Sequence, residues 1–82
     1  MNNEEIFNEI CNVLEKDFEL PREKLTREAG MFTELELDSI DAMDLIVRLQ
    51  KFTGIKFTAA DFQQIRNLGD VADTIVSIAA KQ

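Results

Sequence analysis

Along residues 3 to 18, "NEEIFNEICNVLEKDF", the apolar positions Ile6, Phe7, Ile10, Val13, Leu14 and Phe18 recur at intervals of three and four. That period gathers them on one face of a helix, with Asn2 or Asn3 as cap and Glu4 and Glu5 beside the unpaired amides of the first turn. Leu20-Pro21 is expected to end this helix, because proline disfavours helical geometry in the residue before it. No period is sustained from residue 19 to 37. The stretch reads as one long connection with a turn of helix near 22 to 28, packed down by its own Leu25, Met31, Phe32, Leu35 and Leu37.

The period returns at Asp38 or Ser39 and runs to about Phe52, where Thr53-Gly54 supplies a stop. On a helical wheel Asp41, Asp44, Arg48 and Lys51 form a polar wedge, and Leu45, Ile46, Leu49 and Phe52 fall on the opposite, core-facing side. Ile40, Met43 and Val47 lie along one border of the wedge, in positions expected to be partly exposed. "IKF" at 55 to 57 has no partner strand in the chain and reads as an extended link. "AADFQQI", 59 to 65, suggests a short helix. A last helix opens at "NLGD", with Asn67 as cap and Asp70 three residues on, and Val71, Ile75, Ile78 and Ala79 follow at helical spacing. The expected fold is all-α: a small four-helix bundle of three longer helices and one short one, in one domain over residues 1–82.

Composition narrows the chemistry. At 82 residues, 45% of them hydrophobic, the chain sits near the lower limit at which a core alone stabilises a fold. Cys11 is the only cysteine, which excludes an intrachain disulfide, and its expected place is a buried helix position. There is no histidine, so the usual general base near neutral pH is missing and no Ser-His-Asp triad can form. An enzyme is not expected, and no catalytic residue is assigned. The net charge of −7 is uneven: residues 1 to 47 carry 13 acids against 4 bases, and residues 48 to 82 carry 3 against 5. That balance argues against nucleic acid and for basic protein surfaces as partners. The acidic opening and the lack of a long apolar run point to the cytoplasm, without membrane insertion.

One short stretch carries candidate chemistry, "LELDSIDAMDL" at 35 to 45. If Asp38 caps the second helix, with Asp41 beside the same unpaired donors, Ser39 becomes the first helical residue and its hydroxyl is not needed for capping. That hydroxyl then stands in the positive end of the helix dipole, where an attached phosphate is favoured. A serine at a helix start is ordinary by itself. Calcium binding by Asp38, Asp41 and Asp44 is a poor alternative, because three-residue spacing on a helix differs from the alternating ligands of an EF-hand loop.

The context is more specific. "LELDSIDAMDLIVRLQKFTGIKF", after a long loop and before "IRNLGDVADTI", resembles the acyl carrier proteins over most of the chain. The resemblance implies a four-helix bundle bearing 4'-phosphopantetheine on Ser39, next to Asp38. A phosphopantetheinyl transferase would add the group, and its thiol would hold acyl intermediates for acyl-transferring and chain-extending enzymes of fatty-acid or polyketide-like biosynthesis. In such carriers the second helix docks partners, which here assigns Ile40, Asp41, Met43, Asp44 and Val47 to enzymes with basic docking patches. A monomer is expected, and no metal. Two departures stand out. Many relatives have a glycine where this chain has Glu36, so the loop need not share their backbone there, and fatty-acid carriers commonly have glutamates late in the second helix, where Arg48, Gln50 and Lys51 stand here. These departures suggest a specialised carrier. If cargo enters the bundle, Ile46, Phe57, Ala60 and Phe62 are the residues to line its site, although a filled core is the default. The rival readings are an acidic interaction module without prosthetic group and a carrier of an aminoacyl group.

Overall fold

The computed structural model describes residues 2–81; Met1 and Gln82, the two ends of the expected domain, lie outside the described residues. Three longer helices and one short one are present: α1 (Asn3–Asp17), α2 (Ser39–Thr53), α3 (Ala59–Gln63) and α4 (Leu68–Ala80). Each starts with a reciprocal capping box. Asn2, Asp38, Thr58 and Asn67 accept from the backbone amide three residues on, and Glu5, Asp41, Asp61 and Asp70 reach back to the cap's own amide. Each cap is worth about 1 kcal/mol, which helps a five-residue segment such as α3 hold helical geometry at all.

The helix ends have two different causes. Gly54 closes α2 at φ 77, a left-handed geometry that costs glycine nothing. Beyond α1 the turning residue is Glu19 at φ 57, and the Leu20 amide returns to the Leu14 carbonyl at 3.2 Å. The chain has therefore left the helix before Pro21 can act on it.

Between α1 and α2 the only helical turn described is a 3-10 turn over Arg22–Lys24, shorter than the 22 to 28 expected. The rest of the connection is drawn inward by Leu25, Ala29, Met31, Leu35 and Leu37, all buried. Buried backbone must still find hydrogen-bond partners. Here they come from the link between α3 and α4 and from the first turn of α4: Met31 donates to the Arg66 carbonyl at 2.9 Å, Leu68 to that of Ala29 at 3.1 Å and Gly69 to that of Arg27 at 2.9 Å. Any side chain at Gly69 would meet that crossing, since a Cβ there would lie 3.1 Å from the Arg27 carbonyl oxygen.

The core formed between these segments takes Ile6, Ile10, Cys11 and Leu14 from α1, Ala42, Leu45, Ile46 and Leu49 from α2, and Leu68, Val71, Ala72 and Ile75 from α4. Burial pushes the Cys11 thiol up from its ordinary pKa, against the pull of Arg22 and Arg27, so it remains a thiol that packs. Three expected core positions lie elsewhere. Phe32 is 46% exposed, because Met31 takes the inward place in that turn. Phe52 is 51% exposed, because the chain turns at Gly54 and the buried Ile55 closes the core at that end of α2. Ala79 is exposed on the last turn of α4, past the buried stripe that ends at Ile75.

Leu45 is fully buried at the centre of α2. Leu45→Ala is expected to cost about 2–5 kcal/mol through lost burial and a residual cavity. Urea unfolding monitored by circular dichroism measures this, and a cost below about 1 kcal/mol would contradict a close-packed core at that point.

Candidate functional site

The entry to α2 is fixed from both sides. Upstream, the Leu37 amide donates to the Met31 carbonyl at 2.9 Å, tying the last loop residues to the buried connection. Downstream, Asp38 Oδ1 accepts from the Asp41 amide at 2.8 Å, and Asp41 Oδ2 accepts from the Asp38 amide at 3.5 Å. Capping is thus complete without Ser39, which is the first residue of α2 and is exposed. Its hydroxyl stands where the unpaired amides of a helix start favour an anion.

Glu36, one residue before Leu37, has φ 54. The loop here takes the left-handed backbone that glycine adopts freely, but with an L side chain. The buried Leu35 and Leu37 on either side hold it there. Nearby, Glu34 accepts from the Gly30 amide at 3.1 Å. The Thr33 hydroxyl, and then that amide, hold its carboxyl below the usual carboxylate range.

Along α2 the border deduced from the helical wheel is exposed: Ile40 by 79%, Met43 by 49% and Val47 by 40%. The acids beside it are not equivalent. Asp41 is half-buried in the capping box, whereas Asp44 is exposed and pairs with Arg48 at 3.4 Å. Arg48 also reaches Asp17 at the end of α1, at 3.0 Å. Arg48 therefore serves as a tie between two helices, and Lys51 is the exposed cation that remains on the late part of α2. Among the described residues no three acidic or thiol side chains converge to hold a metal ion.

On the adjoining side of α2 lies a half-open cleft of about 290 Å3, bounded by Met43, Ile46, Val47 and Gln50 and, across from them, by Phe57, Thr58, Ala59, Phe62 and Gln63. Ile46, Phe57 and Phe62 take part as foreseen. Ala60 does not; it faces solvent. Gln50 was not foreseen as a lining residue, although on the helical wheel it falls between Ile46 and Met43, outside the polar wedge. Its carboxamide is oriented by the link that follows Gly54, since the Phe57 amide donates to Gln50 Oε1 at 2.8 Å.

Residues 8–75 match the family model described as a phosphopantetheine attachment site. The chain is 38% identical to acyl carrier protein 2 of Ralstonia nicotianae over 80 residues, covering 98% of this chain and 99% of that one. It is 35% identical over 77 residues to the acyl carrier protein of Coprothermobacter proteolyticus, 94% of each chain being covered. Among solved structures, the acyl carrier protein from Enterococcus faecalis superposes with a TM-score of 0.79 at 24% identity, over 95% of this chain and 99% of that one, which shows a shared fold.

Left-handed geometry costs an L residue about 1–2 kcal/mol, and glycine returns part of this through its freer unfolded chain. Glu36→Gly is expected to stabilise the protein by about 0.5–1 kcal/mol and to raise the thermal midpoint by a few degrees. A melting curve decides it: a lower midpoint would mean that the Glu36 side chain contributes more than its backbone costs.

Proposed function

The chain belongs to the acyl carrier proteins, the family that bears a phosphopantetheine attachment site, and from that premise we propose that Ser39 is the residue that holds the group. The observation that carries this reading is the exposed Ser39 hydroxyl at the first position of α2, spared from capping by Asp38 and Asp41. Once bound, 4'-phosphopantetheine supplies a terminal thiol on a flexible arm, to which an acyl group is held as a thioester.

The chain's own residues then have three tasks. Asp38 fixes the start of α2, which holds the Ser39 oxygen in a constant place for the phosphopantetheinyl transferase. The helix amides favour the phosphodiester charge by about 0.3–1 kcal/mol, which offsets part of the repulsion from neighbouring carboxylates. Asp41 and Asp44 steer basic patches on partner enzymes, and Ile40, Met43 and Val47 provide the apolar contact. No step of acyl chemistry falls to the protein itself; acyl transfer and chain extension belong to its partners.

We place this carrier in the cytoplasm as a monomeric domain. No helix among the described residues is long and apolar enough to cross a membrane. Its cargo belongs to fatty-acid or polyketide-like synthesis. The late part of α2, with Arg48 tied to Asp17 and Asp44 and with Lys51 exposed, favours a dedicated partner set over the general fatty-acid enzymes.

Incubation with coenzyme A, magnesium and a broad-specificity transferase is expected to add one phosphopantetheine, read by intact-mass spectrometry, and Ser39→Ala is expected to take none. No addition to the folded wild type, with a control carrier modified in parallel, would replace this reading with that of an acidic interaction module.

Lys51→Glu tests the docking claim without breaking the Arg48 ties. Loading by general fatty-acid enzymes is expected to rise several-fold, mostly through faster association at low salt. An unchanged rate would count against a charge-based preference.

A further inference from the structure

The cleft beside α2 is apolar on most of its lining; its polar side chains are Gln50, Thr58 and, exposed at the rim, Gln63, and of these Gln50 is the one whose amide is oriented by the fold. Gln50 Oε1 is occupied by the Phe57 amide, and a backbone N–H can donate only to the oxygen of a carboxamide, so the orientation of the Gln50 amide is fixed. Its two Nε2 donors are left without an acceptor among the described residues, and no unpaired side-chain donor is sealed away from solvent. Thr58, also on the lining, uses its hydroxyl oxygen to accept from the Asp61 amide at 3.1 Å, which leaves the hydroxyl proton to donate elsewhere. Each oxygen already accepts one bond from the fold, and the donors of both groups remain for an occupant.

The cleft also continues the Ser39 site. Met43 lies one turn beyond Ser39 and Gln50 three turns beyond, roughly 16 Å along the helix axis. A saturated chain laid over Gln50 would strip water from the Nε2 donors and offer nothing in return, whereas a chain oxygen would accept from them.

Resting on the carrier reading above, we propose that this cleft is selective for acyl chains carrying a carbonyl or hydroxyl oxygen along their length, with Gln50 as the residue that recognises the oxygen. The chain then belongs with condensing systems whose intermediates keep oxygens that a full reductive cycle would remove.

The test uses the whole protein loaded at Ser39 from octanoyl-, 3-oxooctanoyl- and 5-oxooctanoyl-coenzyme A, with loading confirmed by intact mass. Two quantities are read: the Gln50 side-chain amide resonances in 1H–15N spectra, and thioester cleavage by hydroxylamine, each rate normalised to the same acyl-coenzyme A. At least one oxo chain is expected to shift the Gln50 resonances and to be protected about tenfold better than octanoyl, the order of one hydrogen bond. Gln50→Glu keeps an oxygen for the Phe57 amide but removes the donors, and is expected to abolish that difference. Equal protection of all three chains with unmoved Gln50 resonances overturns the inference and leaves the carrier reading standing. Absence of any mass addition overturns both. Should Gln50→Glu fail to fold, the wild-type resonances decide alone.

Discussion

Burying Met31 in the connection between α1 and α2 is the constraint from which the rest follows. A loop drawn into a core brings polar backbone with it, and that backbone must be satisfied or the burial is lost. The link between α3 and α4, with the first turn of α4, answers it at the Met31 amide, the Ala29 carbonyl and the Arg27 carbonyl, with Gly69 leaving room for the crossing. The same crossing seats the start of α4, and through the Leu37 amide on the Met31 carbonyl it seats the start of α2. With no intrachain disulfide possible, this small bundle gains the long-range tie that its short helices alone would lack.

The exposed hydroxyl is the consequence at the other end of that tie. Capping by Asp38 and Asp41 frees Ser39, and the left-handed Glu36 is tolerated because the buried Leu35 and Leu37 hold it in place. Local strain of this kind persists only where surrounding packing over-determines it. The backbone that leads to the serine is therefore set by the core and does not depend on a glycine in that position.

Helix α2 divides its surface among several tasks. Ala42, Leu45 and Leu49 face the core, Ile40 stands in solvent, and Met43 and Val47 belong both to the exposed border and to the cleft. On the proposed reading, a partner that covers Met43 and Val47 also touches the mouth of the space available to cargo. Docking and chain release then share side chains, and no separate conformational device is needed to link them.

Much of this was legible in the sequence because it is local. Helical period, cap residues and their partners three positions on depend only on neighbours along the chain, so all four helices follow from short-range rules, and the cap of α2 was narrowed to Asp38 or Ser39 before the structure placed it on Asp38. The carrier family was legible for a similar reason, since its signature is a continuous stretch around one serine. What the sequence could not decide was competition for the same interior. Phe32 and Phe52 are as apolar as the residues that displaced them, and only the crossing of distant segments determined that Met31 and Ile55 went in. Nor could it show that Gln50 would line a cleft with its oxygen held by the Phe57 amide, because that depends on where the chain returns after Gly54. Periodicity assigns a residue to a face; the packing of the other elements decides what that face meets.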